Sequence, residues 1–221
     1  MLEICAFHLE DCYDAVRFGA GRLEVCQRYD LGGITPPQEW VFALRHSVHI
    51  PLVAMVRPRG GDFSYTSKEW SQMSQSAEIM KRAGAHELIF GGVTPHMRLD
   101  VTRCQAIIQE VGIPCVLHRA FDVLDDPIQG VEDAIRAGFC RILTGYGQDD
   151  PALLEEIKRK AAGRIDILPG GGIRSSNVQD YIRMGFQQVH SSAILDNKQR
   201  VNGTEVQALL AALHTGYWCP Q

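Results

Sequence analysis

No stretch of this sequence approaches eighteen uninterrupted apolar residues, so no segment reads as a membrane-spanning helix. No Cys-x-x-Cys occurs: the seven cysteines, at 5, 12, 26, 104, 115, 140 and 219, are scattered and odd in number. That excludes a disulfide framework and a zinc ribbon and leaves reduced thiols as the expectation. Positive charge is not in excess either. Lys plus Arg total 22 against 26 Asp plus Glu, which argues against binding along a phosphate backbone, so no nucleic acid is expected as a partner. Low-complexity segments and charge-run tails are missing, and Met1-Leu2-Glu3-Ile4-Cys5 lacks the basic and apolar regions of a secretory leader. The expectation is a cytoplasmic protein without membrane contact.

What is present is a hydrophobic share of 45% against 22% charged residues, enough for a sizeable core in a chain of 221 residues. Short apolar runs alternate with amphipathic stretches along the whole length, without a linker. Strands are expected at 2–6, 22–26, 52–57, 87–90, 114–118, 141–144, 166–169 and 188–190. Helices are expected at 10–18, 37–46, 67–83, 101–110, 127–137, 151–162, 175–184 and 203–213. Gly19, Gly84, Gly138 and Gly185 stand where helices must stop, since glycine takes the left-handed conformation readily. Asp126-Pro127 and Asp150-Pro151 place an N-cap ahead of a proline at the first helical position. Eight strand-helix units in so short a chain point to an α/β fold, a single (β/α)8 TIM-type barrel over residues 1–221, with an open doubly wound sheet as the alternative.

Side chains alternate across a strand, so the apolar parity of the first two strands assigns the remaining residues to the barrel interior. Leu2 and Ile4 suit the helix side and leave Glu3 and Cys5 inward; Leu23 and Val25 leave Arg22, Glu24 and Cys26 inward. Buried charges are costly unless paired, so Glu3 and Glu24 are expected to have Arg22 and Arg57 as partners, either as a brace between strands or as part of a site. Arg57, His118, Thr144 and His190 end strands, and in barrels the carboxyl ends carry the chemistry.

Three loops stand out. Arg57-Pro58-Arg59-Gly60-Gly61-Asp62-Phe63-Ser64-Tyr65 offers two guanidinium forks suited to carboxylate or phosphate, unless Arg59 merely pairs with Asp62. His118-Arg119-Ala120-Phe121-Asp122 brings a titratable imidazole, a fixed cation and a carboxylate together, a set able to do acid/base work. Pro169-Gly170-Gly171-Gly172-Ile173-Arg174-Ser175 precedes a helix in the region where barrels often hold phosphate, with His190, Ser191 and Ser192 on the adjacent loop. In an enzymatic reading, His118, Arg57, Asp122 and Glu24 are the candidate catalytic residues. Arg59, Asp62, Arg119, Gly171, Gly172, Arg174, His190 and Ser191 would bind a small anionic or phosphorylated ligand.

These runs, with Gly32-Gly33-Ile34-Thr35-Pro36 and His190-Ser191-Ser192-Ala193, resemble the CutC copper-homeostasis family from residue 2 to about residue 193. The resemblance implies a cytoplasmic barrel protein of copper tolerance, commonly a homo-oligomer (dimer or tetramer). It also implies copper(I) binding through cysteine, with Cys5 and Cys26 falling in the family motifs. The chain departs from the pattern in two places. Leu143-Thr144-Gly145-Tyr146-Gly147 stands where the family commonly has Leu-Thr-Ser-Gly, and the segment after Ser192 is shorter than usual. Those departures bear on the shape of the pocket rim, and since fold does not decide function, copper carrier and barrel enzyme are both carried forward.

Overall fold

The computed structural model describes residues 1–195 and 199–215; Cys219 lies outside them. Eight strands form one parallel sheet: β1 (Leu2–Ala6), β2 (Arg22–Val25), β3 (Leu52–Met55), β4 (Glu87–Phe90), β5 (Cys115–Leu117), β6 (Arg141–Thr144), β7 (Asp166–Pro169) and β8 (Val189–Ser191). Each pairs with the next from β1 to β7, and β8 returns to pair with β1. β7 and β8 lie against each other without a hydrogen-bonded ladder, so the barrel is closed in shape but not fully in hydrogen bonds. Around it run α1 (Leu9–Arg17), α2 (Gln38–Ser47), α3 (Ser67–Arg82), α4 (Val101–Val111), α5 (Pro127–Ala137), α6 (Tyr146–Asp149), α7 (Pro151–Ala161), α8 (Val178–Arg183) and α9 (Gly203–Thr215).

Local chemistry fixes the helix ends. Thr66 and Glu69 form a reciprocal capping box at the start of α3, and Asp100, Asp126 and Asp150 accept from the third backbone N–H of their helices. The expected helix-stopping glycines 19, 84, 138 and 185 all have positive φ. Four elements differ from the sequence reading. Short 3-10 turns at Tyr29–Leu31 and Arg119–Val123 and the one-turn α6 occupy stretches read as loops, and α8 begins at Val178 rather than at 175.

Between sheet and helices lies the larger core, with Ile4, Leu23, Leu88 and Leu117 on the outer face of the strands. Inside the barrel a smaller cluster includes Cys5, Cys26, Val53, Met55, Ile89, Val116, Leu143 and Leu168. The interior parity read from the sequence is therefore the observed one, and Glu3, Arg22 and Glu24 are buried on the same inner side. Burying each large apolar side chain contributes roughly 1.5–3 kcal/mol, and this sustains the polar groups placed among them.

Candidate functional site

Strand register builds the site. Glu3 stands opposite Arg22 on β2 and opposite His190 on β8, and one step further along Cys5 stands opposite Glu24. Glu3 accepts hydrogen bonds from Arg22 Nε and from His190 Nδ1, the latter at 2.7 Å. Above that layer, Glu24 Oε1 lies 3.2 Å from Cys5 Sγ and 3.1 Å from Cys26 Sγ, and the two sulfurs are 3.7 Å apart. His190 Nδ1 lies 3.9 Å from Glu24 Oε2. The result is a buried chain from Arg22 through Glu3 and His190 to Glu24 and the two thiols. Gly33 (φ +88°) closes over it, since an added Cβ there would come within 3.3 Å of Cys26 Sγ.

The charges in this chain set one another. Burial pushes the Glu3 carboxyl up, yet the His190 hydrogen bond and the charges of His190, Arg22 and Arg141 outweigh it and hold the group at about 2. Burial pushes His190 down, but the carboxylate of Glu24, the Cys5 contact and Glu3 raise it well above the usual histidine range. Burial pushes the Cys5 thiol well up, with Cys26 and Glu24 adding to the effect; Cys26 is pushed up to about 12, again by burial first. Both thiols are held protonated with Glu24 as acceptor.

Of these groups Cys5, Glu24 and His190 line a cavity of about 330 Å³ at the carboxyl ends of the strands, whereas Glu3, Arg22 and Cys26 do not reach it. Gly171, Gly172, Arg174, His190 and Ser191 line it, as do Arg57, His118 and Arg119. Residues 57 to 191 thus converge as the barrel topology requires.

Several expected roles are corrected by the contacts. Glu24 is not paired with an arginine; its partners are the two thiols and, more distantly, His190. Arg57 turns instead to backbone carbonyls, donating to Leu31 (3.1 Å), Gly32 (3.3 Å), Gly33 (3.1 Å) and Gly61 (2.7 Å). Arg59 and Asp62 do not line the cavity. Arg59 is bound to Glu69 at 2.5 Å and to Asp62 at 3.0 Å, so it organises its own loop. Asp122 also lies behind the cavity wall, where it accepts from Arg119 (2.7 Å), Thr144 Oγ1 (2.7 Å) and the Gly145 amide (3.0 Å). It positions Arg119 and the end of β6.

Burial and the Arg57 charge push His118 down to about 3, which favours the neutral ring over the acid/base role expected near neutrality. In the glycine-rich turn Gly171 and Gly172 line the cavity, while the groups at 174 and 175 are engaged within the protein. Glu205 on α9 takes the Ser175 amide (2.6 Å) and hydroxyl (2.8 Å), Asn177 takes the Arg174 amide (2.8 Å), and the Arg174 guanidinium is bound to Ile173 O, Ser191 Oγ and Ile194 O.

Sequence reasoning missed Phe7, Tyr29, Met55 and Phe63, which give the cavity its apolar walls, and Glu205. Phe63 stood in a loop already singled out, and its ring packs on both Arg57 (4.6 Å) and His118 (4.8 Å). Glu205 had no local signal, because its contact spans thirty residues.

Comparison with known proteins places this geometry. The sequence model described as the CutC family matches residues 1–195. A copper homeostasis protein cutC homolog of Homo sapiens is 38% identical over 200 residues, covering 87% of this chain and 73% of the relative. The Caenorhabditis elegans protein of the same name is 42% identical over 188 residues, covering 82% and 75%. Among solved structures, that of a protein from Streptococcus agalactiae bearing the name copper homeostasis protein CutC superposes with a TM-score of 0.81 at 27% identity, covering 87% of this chain and 98% of that one. An aldolase superposes with a TM-score of 0.70 at 17% identity, covering 98% and 96%, which is a likeness of fold alone.

Proposed function

The chain belongs to the CutC family, and we propose that it is a copper homeostasis protein that holds Cu(I) as cargo between Cys5 and Cys26. The observation that carries this reading is the convergence of two buried sulfurs, 3.7 Å apart, on a single carboxylate oxygen of Glu24. Thiolate sulfur is the ligand type that suits Cu(I). Cys5, Glu24 and Cys26 each offer a ligand atom within 4.8 Å of the others, as do Glu3, Glu24 and His190. Metal binding to thiols releases their protons. Glu24 sits where those protons lie, and the raised His190 keeps a positive charge beside the site to offset the thiolates.

Titration of the protein with Cu(I) in reducing buffer against a competing chelator tests the reading. Wild type should take up Cu(I), and the Cys5→Ser, Cys26→Ser double variant should lose it; equal uptake by both would reject the site. The reading extends to the cytoplasm as location and to a homo-oligomer, a dimer or tetramer. In support of the assembly, Phe42 and Ile79 are exposed along a groove between α2 and α3. Light scattering on the purified protein reports that state directly.

A further inference from the structure

The copper reading uses Cys5, Glu24 and Cys26 and leaves the part of the cavity lined by Arg57 and His118 without a purpose. There Arg57 is 5% exposed and His118 is 3% exposed. All four hydrogen bonds of the Arg57 guanidinium go to carbonyls, its Nε has no partner, and among the described residues no carboxylate lies within ion-pair distance of it. A buried cation without an anion is strongly unfavourable. His118 Nδ1 accepts from the Ala120 amide at 3.2 Å, so the neutral ring keeps its proton on Nε2, and Nε2 is a second buried donor without a partner. The Phe63 ring covers both groups and offers only its π face. On the neighbouring strand β2, Glu24, 2% exposed, has in Oε2 an acceptor without a hydrogen-bond partner, His190 Nδ1 lying 3.9 Å away. It stands deeper, since Glu24 pairs with Val53, four residues before Arg57. Met55, Phe7 and Leu143 line the space between.

We propose that this cavity binds a small organic carboxylate with an apolar body and a hydroxyl or amino group at its far end. The carboxylate is held by Arg57 and His118 Nε2 once the Phe63 ring has moved off them, and the far donor by Glu24. The amides at 174 and 175 are already taken by Asn177 and Glu205, which leaves Arg57 and His118, two donors sized for a carboxylate, as the proposed anion-binding groups. Guanidinium and imidazole N–H groups supply the charge-assisted pair a carboxylate needs. At about 330 Å³ the cavity is at the small end of ligand pockets and suits a molecule the size of a substituted phenylacetate.

Calorimetric titration with 4-hydroxyphenylacetate, phenylacetate and inorganic phosphate, in a chelating buffer that keeps copper out, tests this independently of the metal reading. Saturable one-to-one binding of 4-hydroxyphenylacetate is expected. Arg57→Lys and His118→Phe should each weaken it about tenfold or more. Because Arg57 also braces the loops around it, the His118→Phe variant and the 15N shift of His118 Nε2 on ligand addition give readouts that do not depend on that brace. Loss of the hydroxyl in phenylacetate should weaken binding several-fold. Absence of saturable binding in wild type, equal affinity in both variants, or phosphate binding with the same dependence would overturn the assignment.

Discussion

The inside of the barrel has two unlike halves. On β3 to β7 the inward side chains at mid-barrel are Val53, Met55, Ile89, Val116, Leu143 and Leu168, and their burial stabilises the fold. On β1, β2 and β8 the same depth is filled by Glu3, Cys5, Arg22, Glu24, Cys26 and His190. Apolar residues of similar volume would stabilise those positions equally well or better, since buried ion pairs rarely improve on them. A fold needing only rigidity would have no reason for the difference. The proposed Cu(I) site places the chemistry in the polar half, where it gives the cysteines and carboxylates a role that packing does not supply. The Arg141–Glu87 pair, at the strand starts of β6 and β4, is the polar exception on the β3 to β7 side; like Arg22–Glu3 it lines no part of the cavity, and its arginine adds to the charge that lowers Glu3.

The sharpest way to break the comparison is to remove one charge from the polar half. Arg22→Met should cost about 3–5 kcal/mol in urea denaturation, because it leaves Glu3 buried with only His190 as partner. A cost below that of an ordinary surface substitution would mean the polar layer is solvated and not a buried network.

On the apolar side, Leu168→Ala should cost about 2–5 kcal/mol through lost burial and the cavity left behind, while Cu(I) uptake by the folded protein is unchanged. Copper uptake that fell in step with stability would erase the division between the halves.

A smaller effect separates the halves by pH. Glu3 is held at about 2, below the ordinary 4.5, so its contribution is present above about pH 4.5 and is lost as pH falls toward 2. His190 is raised, so its contribution is present below its ordinary 6.5 and is lost only as pH rises through its elevated value. The pair is therefore complete between these limits. Glu3→Gln should flatten the acid limb of the stability profile between pH 4.5 and 2, and an unchanged limb would show that other carboxylates set it.

Much of this was legible beforehand for a physical reason. Alternation along β1 and β2 is a strict two-residue period, so Leu2, Ile4, Leu23 and Val25 fix where Glu3, Cys5, Glu24 and Cys26 must point. The Asp-Pro starts and glycine stops mark helix ends through local backbone chemistry, and they agree with the structure within a few residues. What escaped is long-range or conformational. Nothing near Ser175 announces that Glu205 will fill its amide, and nothing in Arg59-Gly60-Gly61-Asp62 says that Glu69 will draw Arg59 away from the cavity. Arg57 was expected to compensate a glutamate. Its four carbonyl partners come from loops whose paths depend on αL residues such as Gly32 and Gly61, which no periodic pattern encodes.

X-ray absorption at the copper edge of the Cu(I)-loaded protein tests the division of the barrel most directly. Sulfur scatterers in wild type, lost in the Cys5→Ser, Cys26→Ser variant, are the predicted result. A copper environment of nitrogen and oxygen alone, or one unchanged by the double substitution, would contradict it.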